Sequence, residues 1–138
     1  MIVLDTNVLS ELMRPQPAAE VLGWVRAQPG AELVTTAVSV AEILYGIQRL
    51  PAGRRHTQLL EAAREVFAQL SEQVLPFDAA AAAEYAELVT ARHRDGEPIS
   101  GFDAQIAAIC RARRASLATR NIADFAHTGV RVINPFAG

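Results

Sequence analysis

The chain contains no lysine; all 13 of its basic residues are arginine. Every mechanism that needs a catalytic or phosphate-binding lysine is therefore excluded. Together with 26 alanines, the arginine bias points to a skewed genome composition. Cysteine is almost absent too. Cys110 stands alone, on an apolar helix face with Ile106, Ala107 and Ile109. That leaves no disulfide or zinc framework and predicts a buried, inert thiol. Although 51% of residues are hydrophobic, no apolar run approaches the length of a membrane span. There is no glycine-rich phosphate loop and no dinucleotide fingerprint. Met1 to Asp5 reads as a strand, without a basic leader region or cleavage site, so the expectation is a soluble cytoplasmic protein without a signal peptide. The net charge of −2 exerts no global pull on nucleic acid. The local runs Arg49, Arg54, Arg55 and Arg111, Arg113, Arg114 read mostly as solvated helix faces.

The 138 residues suffice for one domain, 1–138, with its own core. Short apolar segments alternate with helical patterns. Strands are expected at Ile2–Leu4, Glu32–Thr35, Ser116–Thr119 and Val130–Ile133. Pro76 marks Val74–Phe77 as an edge strand. Helices are expected over about Asn7–Leu12, Ala18–Ala27, Val40–Leu50, Arg54–Ser71, Ala79–Arg94 and Phe102–Arg114. Asp78 caps the fifth, and Asp95-Gly96 turns the chain after it. This alternation argues an α/β class, with a central, mostly parallel sheet of four to five short strands flanked by helices. The first and fourth strands both lead into acids, which suggests that they are neighbours.

Four acids sit where apolar segments give way to the next element: Asp5 after Ile2-Val3-Leu4, Glu42 soon after Leu33-Val34-Thr35-Thr36, Asp103 at the start of an alanine-rich helix, and Asp124 after Leu117-Ala118-Thr119. In a parallel sheet, strand C-terminal ends and helix N-termini share one edge. The four carboxylates would then converge in one cleft, a donor set suited to a hard divalent cation such as Mg²⁺ or Mn²⁺. Each acid also has a structural explanation. Ser39-Val40-Ala41-Glu42 and Ser100-Gly101-Phe102-Asp103 fit capping boxes. Asp5 fits an N-cap, and Asn121-Ile122-Ala123-Asp124 fits a capped turn. Four like charges at one structural position, however, exceed what stability needs and cost energy unless a cation joins them.

Four segments in order resemble the PIN-domain family. They are Ile2-Val3-Leu4-Asp5-Thr6-Asn7-Val8-Leu9, Thr36 to Gly46 around Ser39-Val40-Ala41-Glu42-Ile43, Gly101-Phe102-Asp103-Ala104-Gln105-Ile106-Ala107-Ala108, and Leu117 to Phe125 around Thr119-Arg120-Asn121. The size and the Ser-x-x-Glu-Ile-x-x-Gly pattern look most like VapC-type toxins of bacterial toxin–antitoxin pairs, in the FitB-like subgroup. The resemblance implies a PIN-like three-layer fold and a metal-dependent endoribonuclease. It implies Mg²⁺ or Mn²⁺ held by Asp5, Glu42 and Asp103, with Asp124 as the fourth ligand. Asn121, uncharged where relatives place an acid or an amide, would orient the site or contact water. It also implies an antitoxin partner and a homodimer.

The residue types suit that chemistry independently. Phosphodiester hydrolysis needs an activated water and neutralised phosphate charge, both of which a carboxylate-bound metal supplies. None of His56, His93 and His127 falls in an acidic motif, and all three read as surface residues. Thr6 and Thr119 are candidates to hold the ligating acids, and Arg120 to touch a phosphate or to be a plain surface arginine. A receiver-type phosphoacceptor or a dehalogenase-like phosphatase would require a lysine, and the latter a second Asp where Asn7 stands. The alternative of another class is a non-catalytic PIN-like interaction domain. The helical region also carries abundant apolar side chains, of which Trp24, Val25, Tyr45, Leu59, Phe67 and Leu70 are candidates for exposure on a partner-binding face or for core.

Overall fold

The computed structural model describes residues 1–70 and 74–137. Five strands, β1 (Ile2–Leu4), β2 (Leu33–Thr36), β3 (Val74–Leu75), β4 (Ser116–Ala118) and β5 (Val132–Ile133), form one sheet in the order β3-β2-β1-β4-β5. All four pairings are parallel, and β3 lies at an edge as Pro76 suggested. The strands are joined through six helices: α1 (Thr6–Leu12), α2 (Ala19–Ala27), α3 (Ala37–Gln48), α4 (Arg54–Gln69), α5 (Ala79–Arg94) and α6 (Gly101–Arg113). Ser71, the expected end of the fourth helix, lies outside the described residues.

Alternation along each strand splits the apolar residues between two faces. Val3, Val34 and Leu117 join Leu88, Ile106, Ile109 and Phe125 in one core, under α5 and α6. Leu4, Leu33 and Ala118 join Val8, Val21, Ile47 and Val66 in the other, under α1, α2, α3 and α4. The sheet is thus the middle of three layers. No helix among the described residues is long and apolar enough to cross a membrane. Cys110 is fully buried in the first core, and burial pushes its thiol up to about 12, with a smaller contribution from the Asp5 charge.

Strand order places the site. The chain builds outward from β1 through β2 to β3, then crosses back to lay β4 on the other side of β1. Helical connections therefore diverge at β1 and β4, and a crevice opens at their carboxyl ends. Leu4 pairs with Ala118, so the next residues, Asp5 and Thr119, face each other across that crevice.

One helix start differs from expectation. α3 begins at Ala37 because Thr36, the last residue of β2, caps it: its hydroxyl accepts from the Ser39 N–H at 3.1 Å. Ser39 lies buried inside the first turn, so the capping box expected at Ser39–Glu42 does not form. At α6, Ser100 does cap, accepting from the Asp103 N–H at 3.3 Å. Asp78 caps α5 by accepting from the Ala81 N–H at 3.0 Å.

Candidate active site

Asp5 ends β1 and caps α1, and it is only 4% exposed. Its two carboxylate oxygens are separately held. Oδ1 accepts from the Thr6 N–H at 2.8 Å, and Oδ2 accepts from the Thr119 hydroxyl at 2.8 Å. The Asn7 amide lies across this pair. Its Nδ2 donates to Thr119 Oγ1 at 3.0 Å and, more distantly, to Asp5 Oδ2 at 3.4 Å. Its Oδ1 accepts from the Arg120 N–H at 3.1 Å. Thr119 Oγ1 also accepts from the Asn121 N–H at 3.1 Å. In the sequence alone Asn7 stands out only as a residue that is not aspartate. Its bridging role depends on Thr119, distant in the chain, and no local pattern carries it.

Glu42, half-buried in the second turn of α3, reaches across to the other helix. The Thr6 hydroxyl donates to its Oε1 at 2.9 Å and lies 3.1 Å from Ser39 Oγ. A carboxylate that bonds to α1 is not capping its own helix. Asp103 projects from the first turn of α6. Asp124 is exposed on the 3₁₀ turn Ile122–Phe125. Asn121 precedes that turn without a side-chain capping bond, so the capped turn read from Asn121–Asp124 is not realised.

Electrostatics links the four acids. The Asp5 carboxyl is raised above its ordinary value, mainly by burial. Thr119 and the Thr6 N–H pull it down, and the Asp103 and Glu42 charges raise it further. Asp103 is likewise raised, first by burial and also by Asp124, against a lowering by Ser100. Asp5 and Asp103 thus feel the charges of the other acids in the set. Among the described residues, no three form a group closed enough to hold a metal as they stand. They neighbour one another by field rather than by contact.

Other expectations divide. His93 and His127 are exposed and His56 half-buried, all outside this constellation; His127 Nδ1 lies 3.0 Å from Glu97 Oε2. Of the apolar candidates, only Tyr45 is exposed, at 66%. Trp24, Val25, Leu59, Phe67 and Leu70 pack partly buried against the second core. Arg111 is paired with Glu84 at 2.9 Å and Glu87 at 3.0 Å, and Arg113 lies 4.0 Å from Asp78.

The chain that carries this arrangement is similar, over nearly its whole length, to known proteins. The model of the PIN domain matches residues 2–130. The chain belongs to the PIN domain family. A VapC ribonuclease of Sinorhizobium fredii is 41% identical over 99% of this chain and 98% of its own length. The solved structure of FitAcB from Neisseria gonorrhoeae superposes with a TM-score of 0.90 at 34% identity, covering 99% of each chain. VapBC-5 from Mycobacterium tuberculosis, a member of the VapBC family of toxin–antitoxin systems, superposes with a TM-score of 0.72 at 26% identity over 96% of each chain. Within the PIN family, the chain is of the VapC type.

Proposed function

We propose that this VapC-type chain, one PIN domain throughout, is the endoribonuclease toxin of a toxin–antitoxin pair, with Asp5, Glu42, Asp103 and Asp124 as its catalytic acids. The observation that carries this reading is the field-linked acid set at the β1–β4 crevice. Burial and like charge raise Asp5 and Asp103, a condition that a bound cation relieves.

The donor chemistry fits Mg²⁺ or Mn²⁺: all four side chains offer hard carboxylate oxygens, with no thiol or imidazole among them. Asp5 and Glu42 are the ligands already oriented, and Asp103 and Asp124 complete the set. Bound there, the ion would supply an activated water and neutralise charge on the scissile phosphate. Thr119 and Thr6 each donate a hydroxyl proton to a ligating acid, fixing which lone pairs remain free. Asn7 holds Thr119, and through it Asp5.

The surface supports a protein partner. A groove of about 710 Å³ runs between α1, α2 and α4, lined by Leu12, Leu22, Val25, Leu59 and Leu70. A smaller cavity of about 430 Å³ shares Met13, Arg14, Arg55 and Leu59 with it and reaches Thr6 and Glu42. An amphipathic antitoxin segment in the groove would end at the acids, where its basic side chain, most simply arginine, replaces the cation charge. Exposed Leu44 and Tyr45 on α3 suit a homodimer contact.

The test is to map RNA ends in cells after induction of the chain, beside an Asp103→Asn control. New discrete ends that vanish with the control, and that co-expression of the neighbouring gene's product suppresses, are expected. Identical RNA profiles for the two chains would overturn the reading.

A further inference from the structure

Arg120 directly follows Thr119 and leaves the sheet at the same crevice. The amide that positions Thr119 also accepts from the Arg120 N–H, so one side chain, Asn7, registers this arginine against Asp5. The guanidinium is fixed as well. Its Cζ lies over the Phe136 ring, 3.8 Å from the centroid, a close cation–π contact. Phe136 is itself anchored: it packs against the second core, and its N–H donates to Asn134 Oδ1 at 2.9 Å. Among the described residues, no carboxylate stands within ion-pair distance of Arg120. Glu11, whose carboxyl it helps to lower from a distance, is already bonded to the Ala18 N–H at 2.9 Å and to Arg14.

A guanidinium held over a ring keeps its N–H edge free, and that edge matches two oxygens of a phosphate. The surroundings give it a task. A crevice with four acids repels a polyanion, and the overall charge of −2 does not offset this. We propose that Arg120, held over the Phe136 ring, is a substrate-binding residue that grips an RNA phosphate flanking the scissile one. The inference rests on the ribonuclease reading above.

The experiment uses the full chain carrying Asp103→Asn, which binds without cutting, and a single-stranded oligoribonucleotide at fixed Mn²⁺, with affinity measured across a salt series. Adding Arg120→Gln is expected to weaken binding roughly tenfold and to reduce the slope of log affinity against log salt by about 0.7. Arg120→Lys restores the slope but only part of the affinity, because an ammonium lacks the planar fork. Phe136→Leu keeps the slope and lowers the affinity, and it carries the test alone should Arg120→Gln not fold. A merely structural Arg120 would lower the thermal midpoint and leave the salt slope untouched. Unchanged slope and affinity in Arg120→Gln, or unchanged affinity in Phe136→Leu, overturns the inference. Wild-type chain run in parallel separates the two readings. If it does not cut RNA, the ribonuclease reading fails; if it cuts while the salt slopes coincide, only Arg120 loses its role.

Discussion

The two ends of α1 each bury a carboxylate, and the two titrate in opposite directions. Glu11 at the C-terminal end is lowered from its ordinary value, chiefly by accepting the Ala18 N–H, with help from Arg14. Asp5 at the N-terminal end is raised, although it too accepts good hydrogen bonds. Glu11 has what a structural acid needs: a backbone donor from the next segment and a cation. Asp5 has neutral donors, deeper desolvation and two like charges within range. The difference separates a carboxylate that holds the fold from one whose charge the fold tolerates for another purpose.

The sharpest way to break this contrast is by activity. Asp5→Asn and Asp103→Asn should each lower RNA cleavage by about 10³-fold or more, the worth of several kcal/mol of metal-assisted catalysis. Glu11→Ala should cut at close to the wild-type rate. Initial rates on one oligoribonucleotide compare all three, and an inactive, folded Glu11→Ala would erase the distinction.

A smaller effect lies one bond away. Thr119→Val removes the hydroxyl that fixes Asp5 and should cost about 10- to 100-fold in Mn²⁺ affinity or rate. Thr35→Val makes the same change in a buried threonine that bonds the Leu4 carbonyl at 3.1 Å. It should leave both quantities nearly unchanged. Equal losses in the two variants, read by calorimetry and kinetics, would mean that Thr119 matters only for packing.

Stability against pH should diverge with opposite signs in metal-free protein. Asp103 has a folded-state pKa raised above its ordinary 3.8, so its stabilising share is fully present below that value and is lost as pH rises through the folded pKa. Asp103→Asn should therefore match wild type near pH 3 and become the more stable chain toward neutrality. The main-chain bond from the residue 103 N–H to Ser100 survives the change. A clear loss of thermal midpoint at neutral pH would instead make Asp103 a capping acid. Glu11 is lowered from its ordinary 4.5, so its contribution is present above that value and disappears as pH falls through the folded pKa. Glu11→Ala should fall below wild type at neutral pH and converge with it in acid. The neutral-pH deficit is about 3–5 °C, as expected for about 1 kcal/mol in a chain of this size.

Much of this was legible in the sequence because the fold announces itself at its junctions. Each acid sits at or near a place where strand periodicity ends and helix periodicity begins, which is what makes them read as sharing one edge of the sheet. That β1 and β4 are neighbours followed from the acids ending β1 and following β4, and α5 is legible at its observed bounds, Ala79–Arg94, because Asp78 and Asp95-Gly96 bracket it. The start of α3 was misplaced because Thr36 and Ser39 are both good caps. Only the backbone decides between them, and it left Ser39 buried. Asn7 escaped notice because an asparagine in a first helical turn is unremarkable until Thr119 is packed beside it. How closely the acids approach one another depends on how α3, α6 and the 3₁₀ turn sit over the sheet, which periodicity does not encode. Partial burial of Trp24, Val25, Leu59, Phe67 and Leu70 was also beyond sequence, since a helix stripe reads alike whether it meets a core or a partner.

The most direct measurement is cleavage of a single-stranded RNA by the purified chain during titration with Mn²⁺ and then EDTA, with the product ends identified. The account predicts cutting that requires the metal, stops with excess EDTA, and leaves 5′-phosphate and 3′-hydroxyl ends, as a water nucleophile demands. Cleavage that persists in EDTA, or that leaves a 2′,3′-cyclic phosphate, would contradict it.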